Sequence, residues 1–134
     1  MAEKFFEKYF NTDYLYFIFR AFIGLLFMQH GLQKIFGMFG GNAVPLMGLF
    51  GAAGLIELIA GFAIAFGVFT RLAAFISAIE MLVAYFMAHA PGGLIPIVNK
   101  GELALLYFAA FLVLMKTGAG KWSAEKAILK KEFF

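Results

Sequence analysis

The residues best suited to chemistry first appear inside a long apolar run. The segment FMQHGLQKIFG, residues 27–37, carries His30, Gln33 and Lys34. Residues three and four positions apart share one face of a helix, so these side chains form a polar ridge. An imidazole exchanges protons near neutral pH, whereas a lysine can carry its charge outward to water. We therefore expect His30 to exchange protons or only to pack and hydrogen-bond, and Lys34 to anchor the outer surface.

Two carboxylates lie near the middle of later apolar runs. Glu57 follows a series of glycines spaced three residues apart, a pattern typical of a face on which another helix packs closely. Glu80 lies on a stripe of small residues that includes Ser77. A charge at the bilayer centre costs roughly 2.5–3.5 kcal/mol, so both side chains are expected to point inward at similar depth. Arg20 and Arg71 are candidate partner cations, and a structural ion pair or a protonated carboxyl between helices stays open.

The end of the third apolar run adds His89, and the residues after the following connection add Asn99, Lys100 and Glu102. Asn99 and Glu102 have the spacing of a helix N-cap and its N3 partner, which predicts a capping box. On an uninterrupted helix, His89 would point about 180° away from Glu80. All four residues are expected in the outer half of the protein, near the ridge of the first run. Together they predict a polar pocket that opens to the outer face, with the two carboxylates beneath it.

These residues need a scaffold embedded in a membrane. Of the 134 residues, 63% are hydrophobic and 14% are charged, and the mean hydropathy is +0.89. A soluble domain has roughly 25% charged residues, so this chain could not cover its apolar groups with polar surface. The composition predicts an integral membrane protein whose first partner is the lipid bilayer. The absence of cysteine excludes disulfides and thiol chemistry by this chain alone.

Four apolar runs are long enough to cross a membrane, at residues 14–37, 45–69, 71–90 and 100–116. About 20 helical residues span a hydrocarbon core of about 30 Å. Pro45 suits the first turn of the second helix, and Thr70 suits the N-cap of the third. The alternating polarity of membrane barrel strands is absent from the sequence. We therefore predict an all-α fold, with one domain over residues 1–134 built as a bundle of four transmembrane helices.

The charge distribution predicts the orientation of this bundle. One side carries nine basic residues, Lys4, Lys8, Arg20, Arg71, Lys116, Lys121, Lys126, Lys130 and Lys131. The other side carries only Lys34 and Lys100. Since cytoplasmic connections are enriched in Lys and Arg, we expect both termini in the cytoplasm and the protein in the inner (plasma) membrane. Short interfacial helices are expected at both ends, one in residues 1–10 and one after Trp122 with Ser123 as its N-cap.

Four segments of the sequence resemble one known family. They are GLLFMQHGLQKIFG, GLIELIAGFAIAFGVFTRLAAFISAIEMLVAYFMAHAPGG, PIVNKGELALLYFAAF and GAGKWS. In combination they are similar to the DoxX family of small four-helix membrane proteins, over roughly residues 20–123. The resemblance implies a redox setting, because members are associated with respiratory and sulfur-linked redox systems, and relatives include a subunit of an archaeal thiosulfate:quinone oxidoreductase. The matching polar positions are His30, Gln33, Lys34, Glu57, Arg71, Glu80, His89, Asn99, Lys100 and Glu102.

The resemblance and the residues together favour a membrane subunit that contacts a quinone or quinol. The catalytic candidates are His30, Glu57, Glu80 and His89, with the histidines at the headgroup and the glutamates supplying protons. The candidates for binding the cofactor are His30, Gln33, Lys34, Asn99, Lys100 and Glu102. Under this hypothesis the chain is part of a quinone-linked oxidoreductase, not a complete enzyme, and a redox partner subunit supplies the electrons.

Three alternatives stay open. A haem or copper centre is the weakest, because the sequence has two histidines and no Glu-x-x-His motif, so no metal ligands are assigned. Another is a protein that binds or transports a small solute, which would call for a homo-oligomer, since four helices enclose little volume. The third is a non-catalytic scaffold for assembly in the membrane. Nucleic acid is not expected as a partner.

Overall fold

The computed structural model describes residues 2–133, and the regular structure in this range is entirely helical, as predicted. The α-helices in chain order are α1 (Ala2–Tyr9), α2 (Thr12–Phe36), α3 (Leu49–Phe66), α4 (Thr70–Ala84), α5 (Pro96–Asn99), α6 (Glu102–Thr117) and α7 (Ala124–Leu129). A π-helical turn (Tyr85–His89) and a 3₁₀ turn (Ala90–Gly92) extend α4.

Within residues 2–133, three helical segments are long and apolar enough to cross a membrane: Thr12–Phe36, Leu49–Phe66 and Thr70–Gly92. The fourth predicted span corresponds to α6, which has 16 residues and is therefore about 24 Å long. That length falls short of a hydrocarbon core of about 30 Å. The structure thus agrees with a membrane protein that has three candidate spans.

The predicted start of the second helix is wrong by four residues. Pro45 lies outside α3, which begins at Leu49. The chain first returns over the end of α2, where the Val44 N–H donates to the Lys34 carbonyl at 2.8 Å. Gly48 is fully extended, with φ 164° and ψ 174°, so the helix cannot begin before it.

α2 and α3 pack against each other through glycines. A Cβ atom on Gly24 would lie 2.7 Å from the Gly61 carbonyl oxygen, and one on Gly31 would lie 2.7 Å from the Gly54 carbonyl oxygen. Each helix carries its two glycines seven residues apart, so the contacts repeat along one face. Small residues of this kind let two helix backbones approach closely inside a membrane.

The second close pair is α4 with α6, and α3 contacts α4 to join the two pairs. Small side chains of α4, such as Ala74 and Ser77, are fully buried there. Phe27, Ile64 and Phe111 are fully buried and fill the centre between the pairs. By contrast, the backbones of α2 and α6 lie farther apart and meet through aromatic side chains such as Phe27 and Phe111, and a groove runs between the two helices.

The start of α2 and the segment that follows α6 lie at the same end of the bundle. Tyr14 near the start of α2 stacks on Trp122, with 5.6 Å between ring centroids, and the Tyr16 hydroxyl donates to the Gly118 carbonyl at 2.5 Å. Helices are present at both ends, as predicted. Ser123 is the N-cap of α7 and accepts from the Lys126 N–H at 3.3 Å, which confirms the predicted cap.

Candidate functional site

The centre of the site is an ion pair between α2 and α3. The Lys34 ammonium donates a hydrogen bond to Glu57 Oε1, and the Glu57 side chain is only 5% exposed. Gly54 makes room for this contact, because a Cβ atom there would lie 2.9 Å from the Cβ of Lys34. Hydrogen bonds between charged groups are roughly twice as strong as those between neutral groups. The expectation that Lys34 serves as an outward anchor is therefore wrong.

The expectation that Arg20 or Arg71 pairs with the buried carboxylates is also wrong. Arg20 donates to the Ala119 carbonyl, and Arg71 donates to the Lys116 carbonyl. Lys116 lies in the last turn of α6, where backbone carbonyls have no partner within the helix, and Ala119 lies two residues beyond the helix end. The arginines therefore donate hydrogen bonds to backbone carbonyls at one end of the bundle, whereas Lys34 binds Glu57 from the other end of α2.

Glu80 on α4 brings a second carboxylate to the ion pair. Both of its oxygens are buried, and neither accepts a hydrogen bond from any residue between 2 and 133. It lies within electrostatic reach of Glu57 and of Lys34, so the two carboxylates face inward, as expected. We call Lys34, Glu57 and Glu80 the acid–lysine cluster. It contains two carboxyl groups for one ammonium, so it lacks one proton or hydrogen-bond donor.

His30 lies beside this cluster and contacts Tyr107 of α6. The two rings meet edge to face, with centroids 5.9 Å apart, and Tyr107 also stacks on Phe111 at 5.8 Å. His30 is within electrostatic reach of Lys34, and Tyr107 is within reach of Glu57. Neither the His30 ring nitrogens nor the Tyr107 hydroxyl has a hydrogen-bond partner among the described residues. The His30 imidazole and the Tyr107 hydroxyl, both beside the acid–lysine cluster, are therefore available to bind a ligand.

Tyr107 is absent from the site predicted from the sequence. The sequence feature that could have identified it is its hydroxyl, the single polar side-chain group in the otherwise apolar stretch ALLYFAAF. A polar group in such a stretch needs a hydrogen-bond partner. Aromatic residues are so frequent in this chain, with 19 Phe and 5 Tyr, that the hydroxyl does not stand out. Only the packing of α6 near α2 shows that it faces His30.

An apolar groove runs beside His30 and Tyr107. We call it the lateral groove; it lies between α2 and α6 and has a volume of about 490 Å³. Ile23 and Leu26 line one wall, and Leu106 and Tyr107 line the other. Since His30 follows Leu26 by four residues, it lies on the same helix face, one turn beyond Leu26 toward the C-terminal end of α2. Leu106 is 67% exposed, so the groove opens toward the side that faces lipid.

His89 and Asn99 belong to a separate group in the connection between α4 and α6. Asn99 Nδ2 donates to the Tyr85 hydroxyl at 3.2 Å and to the Gly93 carbonyl at 2.8 Å. His89 Nδ1 lies 3.1 Å from the Asn99 carbonyl oxygen. We call Tyr85, His89 and Asn99 the outer-loop cluster. Its hydrogen bonds hold the loop, and both amide hydrogens of Asn99 are already used.

The position of His89 depends on a break in the helix. The residues before Pro91 form a π-helical turn, in which the Ala90 N–H donates to the Tyr85 carbonyl. A proline has no N–H, and its ring clashes with the carbonyl four residues earlier, which disturbs the turn before it. The assumption of an uninterrupted helix from Glu80 to His89 is therefore wrong.

The predicted capping box at the start of α6 is also wrong. Asn99 ends α5, and its Oδ1 accepts from the Gly101 N–H at 2.8 Å. The residue before α6 is Gly101, which provides no capping side chain, and Glu102 is the first helical residue. Asn99 makes this local turn because its side chain reaches the N–H two residues on.

The remaining predicted residues are not joined to the acid–lysine cluster. Lys100 and Glu102 are exposed and form no ion pair with the part of the chain that is described. Gln33 packs against Gly41 in the loop after α2, where a Cβ atom would overlap its side chain. Within residues 2–133, no three His, Cys, Asp or Glu side chains converge as ligands for a metal ion.

Comparisons with known proteins agree with this architecture. The family described as DoxX matches residues 15–90, the stretch from α2 to the turn before Pro91. An uncharacterized protein of Haemophilus influenzae is 37% identical over 132 residues, covering 93% of this chain and 97% of that protein. An uncharacterized membrane protein of Mycobacterium tuberculosis is 26% identical over 130 residues, covering 84% of this chain and 80% of the relative.

A second uncharacterized protein of Haemophilus influenzae is 33% identical over 124 residues, covering 84% of this chain and 82% of the relative. No solved structure matches the chain. The matched residues include His30, Lys34, Glu57 and Glu80, whereas Tyr107 lies beyond them. With its family match over more than half of its length and a relative of almost the same extent, this chain belongs to the DoxX family.

Proposed function

We propose that this protein is an integral membrane subunit of a redox system and that it binds a quinone or quinol in the lateral groove. The observation that carries the proposal is a pair of polar groups without partners in the described range, His30 and Tyr107, beside an apolar groove. Apolar slots with a few well-placed polar groups are the usual form of small-molecule sites. The redox setting that the family resemblance implies favours a quinone.

In this proposal His30, Tyr107 and the acid–lysine cluster have different roles toward the quinone. A bound quinone would supply two-electron, two-proton chemistry, with the electrons delivered by a partner subunit. His30 would exchange a proton with the headgroup, and the Tyr107 hydroxyl would donate a hydrogen bond to it. The acid–lysine cluster would hold the exchanged proton, because it lacks one donor and lies within electrostatic reach of both residues.

The proposed site opens sideways, toward the bilayer. A lateral opening suits a ligand that diffuses within the membrane, whereas the sequence predicts a pocket that opens to the outer face. In this proposal the outer-loop cluster covers the outer end of the bundle, and His89 holds that loop instead of contacting the ligand.

The proposal is tested by measuring quinone retention in lipid nanodiscs. We expect His30→Ala to retain about tenfold less quinone and Tyr107→Phe about fivefold less, since each loses one hydrogen bond in an apolar setting. Ile59→Ala is the matched control, because Ile59 lines a different groove, between α3 and α4. Unchanged retention by a folded His30→Ala variant would overturn the proposed site.

We also propose that α6 completes a bundle of four membrane spans in the inner membrane, with both termini in the cytoplasm. The positions of Lys and Arg support this orientation, and the start of α2 and the segment that follows α6 lie at one end of the bundle. The absence of native cysteine makes labelling specific. A Lys100→Cys variant should react with an impermeant maleimide added outside intact cells, and a Lys121→Cys variant should react only after lysis. The opposite result would reverse the orientation.

A non-catalytic scaffold is the second candidate. The ion pair between Lys34 and Glu57 joins two helices whose backbones already touch, as expected of a device that holds helix register. If the protein is a scaffold, Lys34→Met should lower the amount of a co-purifying partner, and His30→Ala should not affect quinone retention.

A further inference from the structure

A second groove lies at the end of the bundle that holds the start of α2 and the segment that follows α6. It is bounded by α2, the end of α3 and residues 121–127, and has a volume of about 660 Å³. We call it the terminal groove. Its walls are mainly apolar and include Phe17, Leu25 and Phe66, each of which has a large exposed area. Within the described chain, the residues that line it include Arg20, Lys121 and Lys126 but no Asp or Glu.

Arg20 is a buried cation in the wall of this groove. It is 1% exposed and donates to two backbone carbonyls, those of Ala119 and, at 3.4 Å, Ala65. Its Nε is buried without a partner, and no carboxylate within residues 2–133 forms an ion pair with it. A guanidinium has five N–H donors, so donors remain for a further acceptor. A buried charge normally has a counter-ion close by, and in the described range Arg20 has only the Glu132 carboxylate within electrostatic reach, without a direct ion pair.

Lys121 and Lys126 add positive charge at the rim. Lys121 pairs with Asp13 at 3.3 Å, but both side chains are exposed, and an exposed pair of this kind contributes little. Lys126 pairs with Glu132 at 3.0 Å. Trp122 lies between them in the sequence and lines the same groove. Tryptophan is enriched at the level of lipid headgroups, which suits a rim at the membrane surface.

We propose that the terminal groove binds an anionic phospholipid. The headgroup phosphate meets Lys121 at the rim and the remaining donors of Arg20 in the wall, and an acyl chain lies along the apolar wall formed by Leu25 and Phe66. Arginine binds phosphate through paired N–H donors, so the phosphate would be the direct counter-ion that Arg20 lacks. A soluble phosphate would use the cations but not the apolar wall, so the combination favours a lipid. This site is separate from the lateral groove and does not depend on quinone binding.

Native mass spectrometry of the purified protein tests this proposal. The probes are dioleoyl phosphatidylglycerol and dioleoyl phosphatidylcholine, which share acyl chains and differ in net charge. We expect the wild type to retain the anionic lipid at least about fivefold better than the zwitterionic one, since each nearby Lys or Arg contributes on the order of a fivefold preference. Equal retention of both lipids would overturn the proposal, as would displacement of the lipid by excess inorganic phosphate.

Matched variants separate the groove from general surface charge. Lys121→Gln should weaken phosphatidylglycerol retention about fivefold. Lys116→Gln removes the same charge at the same end of the bundle, outside the groove, and should leave retention unchanged. Equal losses in the two variants would overturn the site.

A bulky substitution tests the apolar wall without changing charge. Ala127 lines the groove and is exposed, so Ala127→Trp should fill it, abolish selective retention and leave the fold intact. Ala52→Trp, at an exposed position of α3 away from the groove, is the control. Full retention of phosphatidylglycerol by Ala127→Trp would contradict the proposal.

Discussion

Glu57 and Glu80 are both glutamates near the middle of apolar helices, yet the fold gives them different surroundings. Glu57 accepts a hydrogen bond from Lys34, whereas both oxygens of Glu80 are buried without a donor among the described residues. A buried charge is stable only when it is paired, so the acid–lysine cluster must take up a proton or a donor from elsewhere. The fold therefore leaves Glu80 as the member of the cluster that can take up this proton or donor.

Removing the ammonium of Lys34 should destabilise the fold. Lys34→Met leaves the Glu57 carboxylate buried without its partner, which costs on the order of 3 kcal/mol in the free energy of unfolding. Titration with sodium dodecyl sulfate, followed by circular dichroism, measures this loss. Lys100→Met, at an exposed position, is the control. A double variant with Glu57→Gln should recover part of the loss, and no recovery would contradict the pairing.

Neutralising Glu80 should change the stability of the fold much less than removing the ammonium of Lys34. Because Glu80 has no donor to lose, Glu80→Gln should change the free energy of unfolding by less than about 1 kcal/mol. Glu57→Gln loses a charged partner and should destabilise more. The same detergent titration compares the two variants. If Glu80→Gln proved as damaging as Glu57→Gln, Glu80 would have to be paired in the folded protein.

At the scale of elements, the spacing of glycines sets the distance between α2 and α3. The contacts of Gly24 with Gly61 and of Gly31 with Gly54 leave no room for a methyl group. This close approach brings the Lys34 and Glu57 side chains together, because a wider separation would leave the ammonium short of the carboxylate. The packing of α2 on α3 is therefore a condition for the ion pair.

A methyl group at this interface should separate the helices. In Gly31→Ala the new Cβ would lie 2.7 Å from the Gly54 carbonyl oxygen, and overpacking of this kind costs about 1–3 kcal/mol. Gly48→Ala is the matched control, because nothing lies within 4 Å of a Cβ atom there and its backbone is extended. Thermal unfolding in detergent should show a lower midpoint for Gly31→Ala alone. Equal midpoints for the two variants would show that the backbones do not touch.

At the scale of the whole molecule, the C-terminal segment closes one end of the bundle. Glu125 accepts from the Phe69 N–H at 3.1 Å, before α4, and Glu132 accepts from the Ala119 N–H at 2.8 Å and lies 3.7 Å from Arg71. Burial alone would raise the pKa of Glu132, but the Ala119 amide, Lys126 and Arg71 together hold it below its usual value. The charged carboxylate thus ties this segment to the helices.

The tie through Glu132 should weaken in acid. Because the pKa of Glu132 is lowered in the folded state, ionised Glu132 contributes its full stabilisation at a pH above the ordinary glutamate pKa. This stabilisation is lost as the pH falls through the lower pKa of the folded state. The single tryptophan, Trp122, stacks on Tyr14 and reports release of the segment by its fluorescence. We expect an emission change on acidification that Glu132→Gln removes. Glu7→Gln, on the exposed α1, is the control, and an unchanged titration in Glu132→Gln would contradict the assignment.

Composition and periodicity alone determined the membrane class, the helical fold and the inward direction of Glu57 and Glu80. These properties follow from the sequence because transfer into lipid acts on each residue through its own chemistry, and because helical spacing is local. Helix ends were predicted to within a few residues, and the largest errors came at Pro45 and before Pro91. At both places the path of the chain depends on the helix it packs against or on a disturbed turn.

Only the tertiary structure decided which groups meet. Lys34, not an arginine, reaches Glu57 because α2 and α3 touch along their glycines. Tyr107 meets His30 because α6 crosses near α2 without closing against it, and the same separation leaves the lateral groove. Charges far apart in the sequence can pair in many ways, and the choice among them depends on distances between helices that no local pattern encodes.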